Sequence, residues 1–382
     1  MQYRNYGTTG MRVSALGFGA MRLPATSDGT CDYEQAVPML KQGLDLGINY
    51  IDSAWGYING TSEVAVGKAI KGYPRESLVI ATKIPSNDID ADEWRRRLET
   101  QLERFDMDYI DVMHMHGLTW EAFSERISKK GGCLEAAQKA VSEGLVRFLA
   151  FSSHDTPANV VKLVETGEFQ GVTLQFNFLD QRMAEPLRIA HERGLGTIIM
   201  GPVAGGRLSM WDPKEWSDLI PSSVSSTPDL AIRWVLSHPM VSVALSGMNT
   251  PEMITENVAS ASRPEPFSAD EKEAVDRLLT KLQDLSNLYC TGCNYCMPCP
   301  NGVEIPGNFL LMNYYQVYGL KEFARGQYAN LKKGESVWLQ NVRIEGKAAD
   351  ECVQCGLCEP KCPQNIHIID QLQQVEQMLG AS

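Results

Sequence analysis

The sequence predicts an α/β fold, a closed (β/α)8 TIM barrel, followed by a smaller and mainly helical domain. Strand-like apolar runs alternate with helical segments through about the first two thirds of the 382 residues, and eight of the ten cysteines lie from Cys290 onward. Eight strands that alternate with helices form a parallel sheet, and this number closes a barrel. An open doubly wound sheet is the alternative, but no Gly-x-Gly-x-x-Gly motif follows the first strand.

The order of the elements follows from the apolar runs. Residues 11–19 are predicted to form a hairpin arm that leads into the first barrel strand. The next seven strands are predicted at 48–52, 77–83, 109–115, 146–151, 172–176, 197–200 and 241–245. Helices are predicted at 33–46, 91–105, 133–143, 157–165, 182–193 and 228–236. The active face of such a barrel lies at the carboxyl ends of its strands, so these ends hold the candidate residues.

Ionisable side chains end three successive strands. Asp52 ends the second strand, Lys83 the third and His116 the fourth, and Tyr57 follows Asp52 in a loop that contains glycine. Pairing with Asp52 keeps Lys83 charged, and this cation is expected to lower the pKa of Tyr57. Tyr57 would then donate and regain a proton near neutral pH, while His116 orients a carbonyl oxygen.

Each of these residues also has a purely structural interpretation. Asp52 would cap the helix that begins near Thr61, and Tyr57 would be an ordinary half-buried aromatic residue. Lys83 would be a solvated charge at a strand end, and His116 a hydrogen-bonded core histidine. Their joint position on successive strand ends favours the chemical interpretation.

A second histidine, His114, lies on the same strand face as His116, and His154 ends the next strand. This arrangement would suit the metal site of a barrel hydrolase. The carboxylates expected as further ligands do not occur at the later strand ends. We therefore expect His114 to pack inside the barrel or to support His116.

Several short motifs between Tyr3 and about Ser262 together resemble those of the aldo/keto reductase family. They are Ile51-Asp52-Ser53-Ala54-x-x-Tyr57, the stretch 74–83 that ends in Lys83, Tyr109-Ile110-Asp111 before His116, Glu143-Gly144-Leu145-Val146-Arg147, and Glu256-Asn257. The resemblance implies that Asp52, Tyr57, Lys83 and His116 form a catalytic tetrad. Tyr57 would be the general acid during hydride transfer from a nicotinamide to a carbonyl.

The same resemblance implies a binding site for NAD(P)H. Ser152 and Ser153 end the fifth strand, where the family holds the nicotinamide amide with a Ser-Asn pair. Gln175 is a candidate for the amide partner on the next strand, although the preferred register places Thr173 there. The stacking tyrosine of the family corresponds to Met200, which is apolar but not planar.

Further residues are implied for the rest of the dinucleotide. Gly205 and Gly206 would let backbone amides approach a pyrophosphate, the helix that starts at Pro251 offers another anion site, and Asn257 would contact the adenine. A plain turn is the alternative for the two glycines.

The positions of the family's NADP-binding lysine and arginine correspond to Gly247 and Met253. Neither residue pairs with a 2′-phosphate. Use of NADH, weak binding of a dinucleotide and no binding therefore all stay open.

Two rim loops are candidates for binding the substrate. Loop 117–132 carries Trp120, and loop 203–227 carries Trp211 and Trp216. Aromatic residues at the rim suit a small, partly apolar carbonyl compound. Packing of these side chains against the barrel is the alternative.

Composition excludes several partners. The formal charge of −12 argues against nucleic acid or an anionic membrane surface as a partner, because both are themselves negative. The first residues contain no apolar run of signal-peptide length, and no stretch is long enough to span a bilayer. We therefore expect a cytoplasmic protein.

Composition changes after Ser262. The Pro-rich segment 263–266 predicts a boundary between a barrel domain, 1–266, and a cysteine-rich domain, 267–382. Residues 268–285 are expected to form an amphipathic linking helix that Ser268 caps, with Glu271 three positions further on.

Two runs of cysteines in the second domain have metal-ligand spacing. The second run matches the bacterial 4Fe-4S pattern in full, and in two-cluster proteins its last cysteine ligates the other cluster. A zinc site that used one Cys-x-x-Cys pair from each run would leave four thiols unused. The runs are Cys290-x-x-Cys293-x-x-Cys296-x-x-Cys299-Pro300 and Cys352-x-x-Cys355-x-x-Cys358-x-x-x-Cys362-Pro363.

This domain resembles a ferredoxin with two 4Fe-4S clusters, and the long segment 305–349, predicted to be helical, favours the helical ferredoxin type. The resemblance implies one cluster on Cys290, Cys293, Cys296 and Cys362, and a second on Cys352, Cys355, Cys358 and Cys299. The first run has one residue fewer before Cys299 than the pattern has. Cys31 and Cys133 lie outside the runs and are expected to be small core residues.

The joined chain resembles aldo/keto reductases that carry a C-terminal ferredoxin-like domain. A nicotinamide gives up two electrons as hydride, whereas a cluster accepts one at a time, and the sequence shows no flavin motif to convert between them. We expect a carbonyl oxidoreductase that is coupled to cluster electron transfer, with an electron-transfer protein as a partner. An ordinary reductase with structural clusters and a non-enzymatic redox sensor or electron carrier on a degenerate barrel are the alternatives.

Overall fold

The chain is divided into two compact units. The computed structural model describes residues 1–178, 180–203, 221, 223–286, 296–316, 319–339, 342–362 and 366–381. The first unit lies within Met1–Gly206 and Pro228–Phe267, and the second within Arg207–Thr227 and Ser268–Ser382. The domain limits at residues 266 and 267 stay a prediction.

The first unit contains a closed barrel of eight parallel strands, which confirms the predicted fold class. The strands of the whole unit are β1 (Tyr3–Asn5), β2 (Arg12–Ser14), β3 (Leu16–Gly19), β4 (Tyr50–Asp52), β5 (Val79–Pro85), β6 (Ile110–His116), β7 (Val146–Ser152), β8 (Gly171–Gln175), β9 (Gly196–Met200) and β10 (Val243–Ser246). Strands β3 to β10 pair in chain order, and β10 closes the barrel on β3. The antiparallel pair β1 and β2 is the predicted hairpin arm.

The helices of this unit follow the strands as predicted, and their ends carry ordinary capping signals. Asp90 accepts a hydrogen bond from Glu93 N at the start of α3, and Thr156 caps α6 with Pro157 in its first turn. The helices are α1 (Tyr33–Asp45), α2 (Ser62–Ala69), α3 (Ala91–Phe105), α4 (Trp120–Ala122), α5 (Cys133–Ser142), α6 (Pro157–Glu165), α7 (Ala184–Glu192), α8 (Thr227–Leu236) and α9 (Pro251–Ala261).

One strand end differs from the prediction in a way that affects the site. Strand β5 runs on to Pro85 instead of ending at Lys83, because Ile84 is buried and Pro85 still pairs in register with His116. Lys83 therefore lies two residues inside the barrel mouth. Its neighbour across the sheet is His114.

Tyr6 closes the amino-terminal end of the barrel. Its ring is fully buried and stacks on Tyr50 at a centroid distance of 6.2 Å. Two strand glycines make room for it, since a Cβ at Gly171 would lie 1.9 Å from Tyr6 Oη and a Cβ at Gly196 would lie 2.5 Å from the ring. The tyrosine thus takes the interior volume that side chains at these two strand positions would fill.

The second unit is mainly helical. Its helices are α10 (Ala269–Ser286), α11 (Ile305–Gln316), α12 (Lys321–Lys332) and α13 (Ile368–Leu379). The predicted cap of α10 is confirmed, because Glu271 N donates to Ser268 Oγ at 3.3 Å and Ser268 N donates to Glu271 Oε2 at 2.6 Å.

The prediction of one helical stretch over 305–349 is wrong in its second half. Strands β11 (Val337–Leu339) and β12 (Val342–Ile344) form a short antiparallel pair there. Val337 and Leu339 are buried while Trp338 is exposed, which is the alternation of a half-buried strand. Among the described residues, no helix combines the length and the apolar character that crossing a membrane requires.

Asp111 connects three strands at the amino-terminal end of the barrel. Its carboxylate is fully buried and lies 2.7 Å from Arg75 Nη2 and 2.8 Å from Arg147 Nη1. It also accepts a hydrogen bond of 2.9 Å from Ile80 N on β5. A buried carboxylate with this many donors ties the start of β6 to its two neighbours.

We expect Asp111→Ala to lower the free energy of unfolding of the barrel by roughly 3–5 kcal/mol, because it leaves the Arg75 guanidinium, which is only partly exposed, without its counter-ion. Urea denaturation followed by circular dichroism measures this loss. The matched control is Asp106→Asn, which removes an exposed partner of Lys71 and should cost less than about 1 kcal/mol. Equal losses in both variants would contradict the role given to Asp111.

Candidate functional site

A buried ion pair lies at the carboxyl end of the barrel. Lys83 Nζ is 2.5 Å from Asp52 Oδ1, and it also donates to Ser53 O at 2.7 Å. Both side chains are almost fully buried. Burial alone would lower the pKa of Lys83, but attraction to Asp52 and Tyr57 raises it above the ordinary value, as predicted for a lysine that stays charged.

The loop after Asp52 brings Tyr57 to this pair. Lys83 Nζ lies 4.8 Å from the centroid of the Tyr57 ring, and the His116 ring meets the same ring edge-on at 6.1 Å. The four residues of the predicted tetrad are therefore neighbours in the structure. Asp52 does not cap the helix near Thr61, because its carboxylate binds Lys83 instead.

A tight turn holds the tyrosine in place. Ile58, Asn59 and Gly60 all have positive φ, which is unusual for the β-branched Ile58. Gly60 N donates to Tyr57 O at 3.0 Å, and the Thr61 side-chain hydroxyl donates to Ile58 O at 2.5 Å. Hydrogen bonds within the turn therefore fix its conformation. Strained backbone of this kind persists only where surrounding contacts support it.

The expected direction of the Tyr57 pKa is wrong. Burial raises the pKa of Tyr57 above its ordinary value, and the Lys83 cation only partly offsets this rise. The sequence indicated the cation but not the depth of burial. The phenol is therefore protonated at neutral pH and available as a proton donor.

His116 ends β6 beside the tyrosine. Burial lowers the pKa of His116 to about 3, and repulsion by the charged Lys83 adds to the shift. The imidazole is therefore neutral at physiological pH. A neutral imidazole still has one N–H group that donates to an acceptor such as a carbonyl oxygen.

His114 is part of the barrel interior. Its Nδ1 lies 3.3 Å from Thr82 O and its Nε2 lies 3.0 Å from Thr173 Oγ1, and the residue is fully buried. Both nitrogens are thus engaged with protein groups, in agreement with the expected packing role and against the metal site.

Of the two residues considered as the amide partner on β8, Gln175 ends the strand. Thr173 lies two residues earlier, and its Oγ1 is 3.0 Å from His114 Nε2 in the barrel interior. A Cβ at Gly201 would lie 2.5 Å from Gln175 Oε1, so the absence of a side chain at Gly201 leaves room for this amide.

The two serines at the end of β7 bind the loop that follows β6. Ser152 Oγ accepts from Gly117 N at 3.0 Å, which leaves its hydroxyl proton for another acceptor. Ser153 Oγ donates to Leu118 O at 2.6 Å and accepts from Asp155 N at 3.1 Å. Of the pair, Ser152 is better suited to bind a carboxamide.

The described residues include only some of the other residues that were predicted to contact the dinucleotide. Gly205 and Gly206 lie outside the described residues. Asn257 Nδ2 donates to Ser246 Oγ at 3.0 Å, which fixes the amide at the end of β10. Thr250 caps α9 by accepting from Met253 N at 3.3 Å.

The rim tryptophan of loop 117–132 packs against the barrel. Trp120 stacks on Phe123 at 6.1 Å, and Phe123 contacts Phe169 at 5.9 Å. This supports the packing alternative for Trp120. Trp211 and Trp216 lie outside the described residues.

The second unit contains a pocket that is lined by cysteines of both runs. Five cysteines face it, and apolar residues such as Val303, Ile305 and Leu372 form other parts of its wall. The five are Cys296, Cys299, Cys352, Cys355 and Cys358. Burial raises the pKa of Cys358, and its electrostatic interactions with Cys352, Glu359 and Cys355 add to the rise.

This set of donors suits an iron-sulfur cluster, because thiolates hold such clusters. It joins Cys296 and Cys299 of the first run to three cysteines of the second. Cys299 with these three is the grouping implied for one of the two clusters, whereas Cys296 is implied as a ligand of the other. Across the described residues, no group of three or more candidate ligands is close enough to hold a single metal ion. Cys290 and Cys293 lie outside the described residues, and Cys31 and Cys133 are buried as expected.

The sequence analysis did not identify a buried carboxylate behind the site. Glu63, in the first turn of α2, is fully buried and pairs with Arg104 at 2.9 Å. The available signal was a charged residue in a short helix whose other residues are mostly small or apolar. Arg104 further contacts Trp55, which lies two residues before Tyr57.

Two family models match the chain. A model described as the aldo/keto reductase family matches residues 15–280, and a model described as a 4Fe-4S dicluster domain matches residues 289–367. Together they account for both predicted parts of the sequence.

Individual proteins agree with the first match. The chain is 27% identical to L-galactose dehydrogenase of Arabidopsis thaliana, and the match covers 75% of this chain and 96% of that protein. It is 26% identical to NADH-specific methylglyoxal reductase of Escherichia coli, and this match covers 66% of this chain and 91% of that protein. Its structure is similar to that of the holo form of aldo-keto reductase AKR11C1 from Bacillus halodurans, with a TM-score of 0.63, 26% identity and coverage of 72% and 96%.

We expect the His116 imidazole to stay neutral between about pH 5 and 8, where an unperturbed histidine with a pKa of about 6.5 titrates. Because the folded pKa lies below the unfolded one, His116 contributes stability above about pH 6.5 that is lost as the pH falls toward 3. The imidazole signals of a nuclear magnetic resonance titration measure this, and the spectrum of His116→Gln assigns them. Titration of His116 near pH 6.5 would contradict the buried, neutral state.

Proposed function

The chain belongs to the aldo/keto reductase family, and we propose that it interconverts a small carbonyl compound and its alcohol at Tyr57, coupled to electron transfer by two 4Fe-4S clusters. The names of two relatives, an L-galactose dehydrogenase and a methylglyoxal reductase, support a small substrate of this class. The match to a 4Fe-4S dicluster domain supports the clusters.

The observation that carries the proposal is the position of one buried cation. Lys83 Nζ is 2.5 Å from Asp52 Oδ1 and 4.8 Å from the Tyr57 ring centroid, and His116 meets that ring from the side. A proton donor thus lies beside a cation and a neutral imidazole at the barrel mouth. These groups suit proton donation to a carbonyl oxygen and stabilisation of the charge that develops there.

Tyr57 is the proton donor in this proposal. As the carbonyl carbon accepts a hydride, negative charge develops on the oxygen, and the Tyr57 hydroxyl donates its proton there. A positioned general acid contributes about 10²–10⁴-fold to the rate. Since burial raises the pKa of Tyr57, the phenol keeps its proton at neutral pH and is available as the proton donor.

Lys83 and His116 stabilise the charges that this transfer creates. The ammonium of Lys83 lies beside the phenol and favours the phenolate that forms when the proton leaves. Asp52 keeps Lys83 charged despite its burial. Neutral His116 donates a hydrogen bond to the carbonyl oxygen and so orients it.

A bound NADH or NADPH supplies the hydride in this reaction. Ser152 is the proposed contact of its carboxamide, with Gln175 opposite on β8 and Asn257 at the adenine. Ser153, Gly205 and Gly206 complete the proposed dinucleotide site. The Ser153 hydroxyl has two protein partners, Leu118 O and Asp155 N, and the two glycines lie outside the described residues.

The clusters transfer single electrons, and we propose that an electron-transfer protein exchanges electrons with them. Cys352, Cys355, Cys358 and Cys299 would hold one cluster. The pocket that these four cysteines share supports this ligand set. Cys290, Cys293, Cys296 and Cys362 would hold the other.

We expect Tyr57→Phe to lower the rate of carbonyl-dependent NADH or NADPH oxidation by about 10²–10⁴-fold, because it removes the proton donor. Binding of the nicotinamide, followed by its fluorescence, should stay within about twofold, because the ring is kept. The matched control is Tyr73→Phe, which removes a hydroxyl that donates to Asp45 at the barrel exterior. Full turnover by Tyr57→Phe would reject Tyr57 as the acid.

The same samples test the coupling when they are handled without oxygen. Loss of the broad cluster absorbance on addition of NADH or NADPH would support electron transfer between the nicotinamide and the clusters. Unchanged cluster absorbance during full turnover would instead favour structural clusters. Cluster reduction by a protein partner without any carbonyl activity would favour an electron carrier.

We further expect the reconstituted protein to hold about eight iron atoms, and Cys299→Ser to hold about four, because one of two four-iron clusters loses a ligand. Iron analysis and the cluster absorbance measure this. Cys31→Ala is the control, since Cys31 is a buried residue of the barrel unit outside both runs. A full iron content in Cys299→Ser would reject Cys299 as a ligand and direct attention to Cys296, which lines the same pocket.

A further inference from the structure

Glu63 is a fully buried carboxylate that the proposed reaction does not use. Its Oε1 accepts from Thr82 Oγ1 at 2.6 Å and from Gln101 Nε2 at 2.6 Å, and its Oε2 pairs with Arg104 Nη1 at 2.9 Å. The donors come from β5 and α3, while Glu63 itself belongs to α2. One carboxylate therefore joins three elements that meet just behind the proposed site.

Arg104 extends this group to the loop that carries Tyr57. Its Nη1 donates to Trp55 O at 3.0 Å, and its guanidinium lies 4.1 Å from the centroid of the Trp55 ring. A Cβ at Gly60 would lie 2.9 Å from Arg104 Nη2, so the guanidinium also reaches the far end of the loop. Arg104 thus supports the loop on both sides of Tyr57.

Gln101 extends the group to Lys83. Its Nε2 donates to Lys83 O at 3.2 Å as well as to Glu63. The same carbonyl accepts from Trp55 N at 3.0 Å. The backbone of Lys83 and the loop of Tyr57 are therefore joined directly and also through Glu63.

Burial of a carboxylate costs several kcal/mol unless its partners compensate, and well-packed apolar residues often stabilise a fold equally well. Stability alone therefore does not explain why a charged pair lies here. The pair contacts the two segments whose relative position sets the distance from the Lys83 ammonium to the Tyr57 ring. Displacement of reacting groups by about 1 Å costs about 10²-fold in rate.

We propose that Glu63 and Arg104 are positioning residues that hold the Tyr57 loop against the Lys83 strand. This inference rests on the proposed function, because it gives the two residues a role in the reaction of Tyr57. The two residues would hold the loop in this way whether or not a carbonyl is the substrate.

The chain offers a closely matched control at the other end of the barrel. Arg75 pairs with buried Asp111 at 2.7 Å as Arg104 pairs with buried Glu63, and the two arginine side chains are 24% and 25% exposed. Arg75 lies 4.1 Å from the Tyr109 ring centroid, the same distance as Arg104 from that of Trp55. Replacement of either arginine by lysine removes the same kind of planar, multidentate contact.

The experiment compares Arg104→Lys with Arg75→Lys in the full-length protein. Hydrogen–deuterium exchange without ligands should be about tenfold faster for amides 55–62 in Arg104→Lys than in the wild type, and unchanged there in Arg75→Lys. In carbonyl reduction, kcat of Arg104→Lys should fall by about tenfold or more while KM changes by less than about threefold. Arg75→Lys should keep both constants.

Equal exchange at 55–62 in both variants, with equal kcat values, would overturn the proposal and leave Glu63 and Arg104 a structural pair. If Arg104→Lys fails to fold, Gln101→Met provides the milder test, because it removes one donor to Glu63 and one to Lys83 O and should show the same local exchange. The exchange result needs neither nicotinamide nor carbonyl. It therefore stands even where the proposed reaction itself is not found.

Discussion

The arrangement of the site depends on the ion pair between Lys83 and Asp52. An ammonium buried at the mouth of a barrel is stable only with a counter-charge at contact distance, and Asp52 supplies it at 2.5 Å from the neighbouring strand. The pair fixes the register in which β4 and β5 present their ends, and its positive charge faces the Tyr57 ring. The same charge adds to the effect of burial, which is the main reason that the pKa of His116 is lowered. The ion pair and burial together thus set the protonation states of the surrounding groups.

Much of this arrangement follows from the sequence because it depends on local patterns. Short apolar runs separated by amphipathic segments give the eight strands, and polar residues at successive strand ends must meet at one rim. The sequence left open whether Thr173 or Gln175 faces the site, because a run of five buried residues does not show which of them ends the strand. The pair β11 and β12 was missed because strands of three residues are too short for a period to be recognised.

The errors in the site have a different cause. The prediction for Tyr57 combined a cation with a phenol and gave a lowered pKa, whereas burial outweighs the cation and raises it. Burial depends on how loops from distant parts of the chain cover the residue, and no local pattern shows this. Glu63 was missed for the same reason, since only the fold brings its partners from α3 and β5 together. Cysteine spacing, by contrast, identifies the ligand type directly, and the grouping of Cys299 with the second run that the resemblance implied agrees with the pocket that these cysteines line.

The protonation states also bear on how the two halves of the chain would work together. A phenol that is protonated at neutral pH and a neutral imidazole suit delivery of a proton to a carbonyl oxygen, and the same phenol takes the proton back when an alcohol is oxidised. Reduction of a carbonyl consumes two electrons, and two 4Fe-4S clusters that each carry one electron hold together as many as one hydride. A hydride from a nicotinamide already supplies both electrons of a carbonyl reduction, so the clusters would take part only by exchanging single electrons with the nicotinamide or with a protein partner. Because the sequence shows no flavin motif that would convert one-electron into two-electron steps, the link between the ferredoxin-type domain and the barrel depends on that exchange.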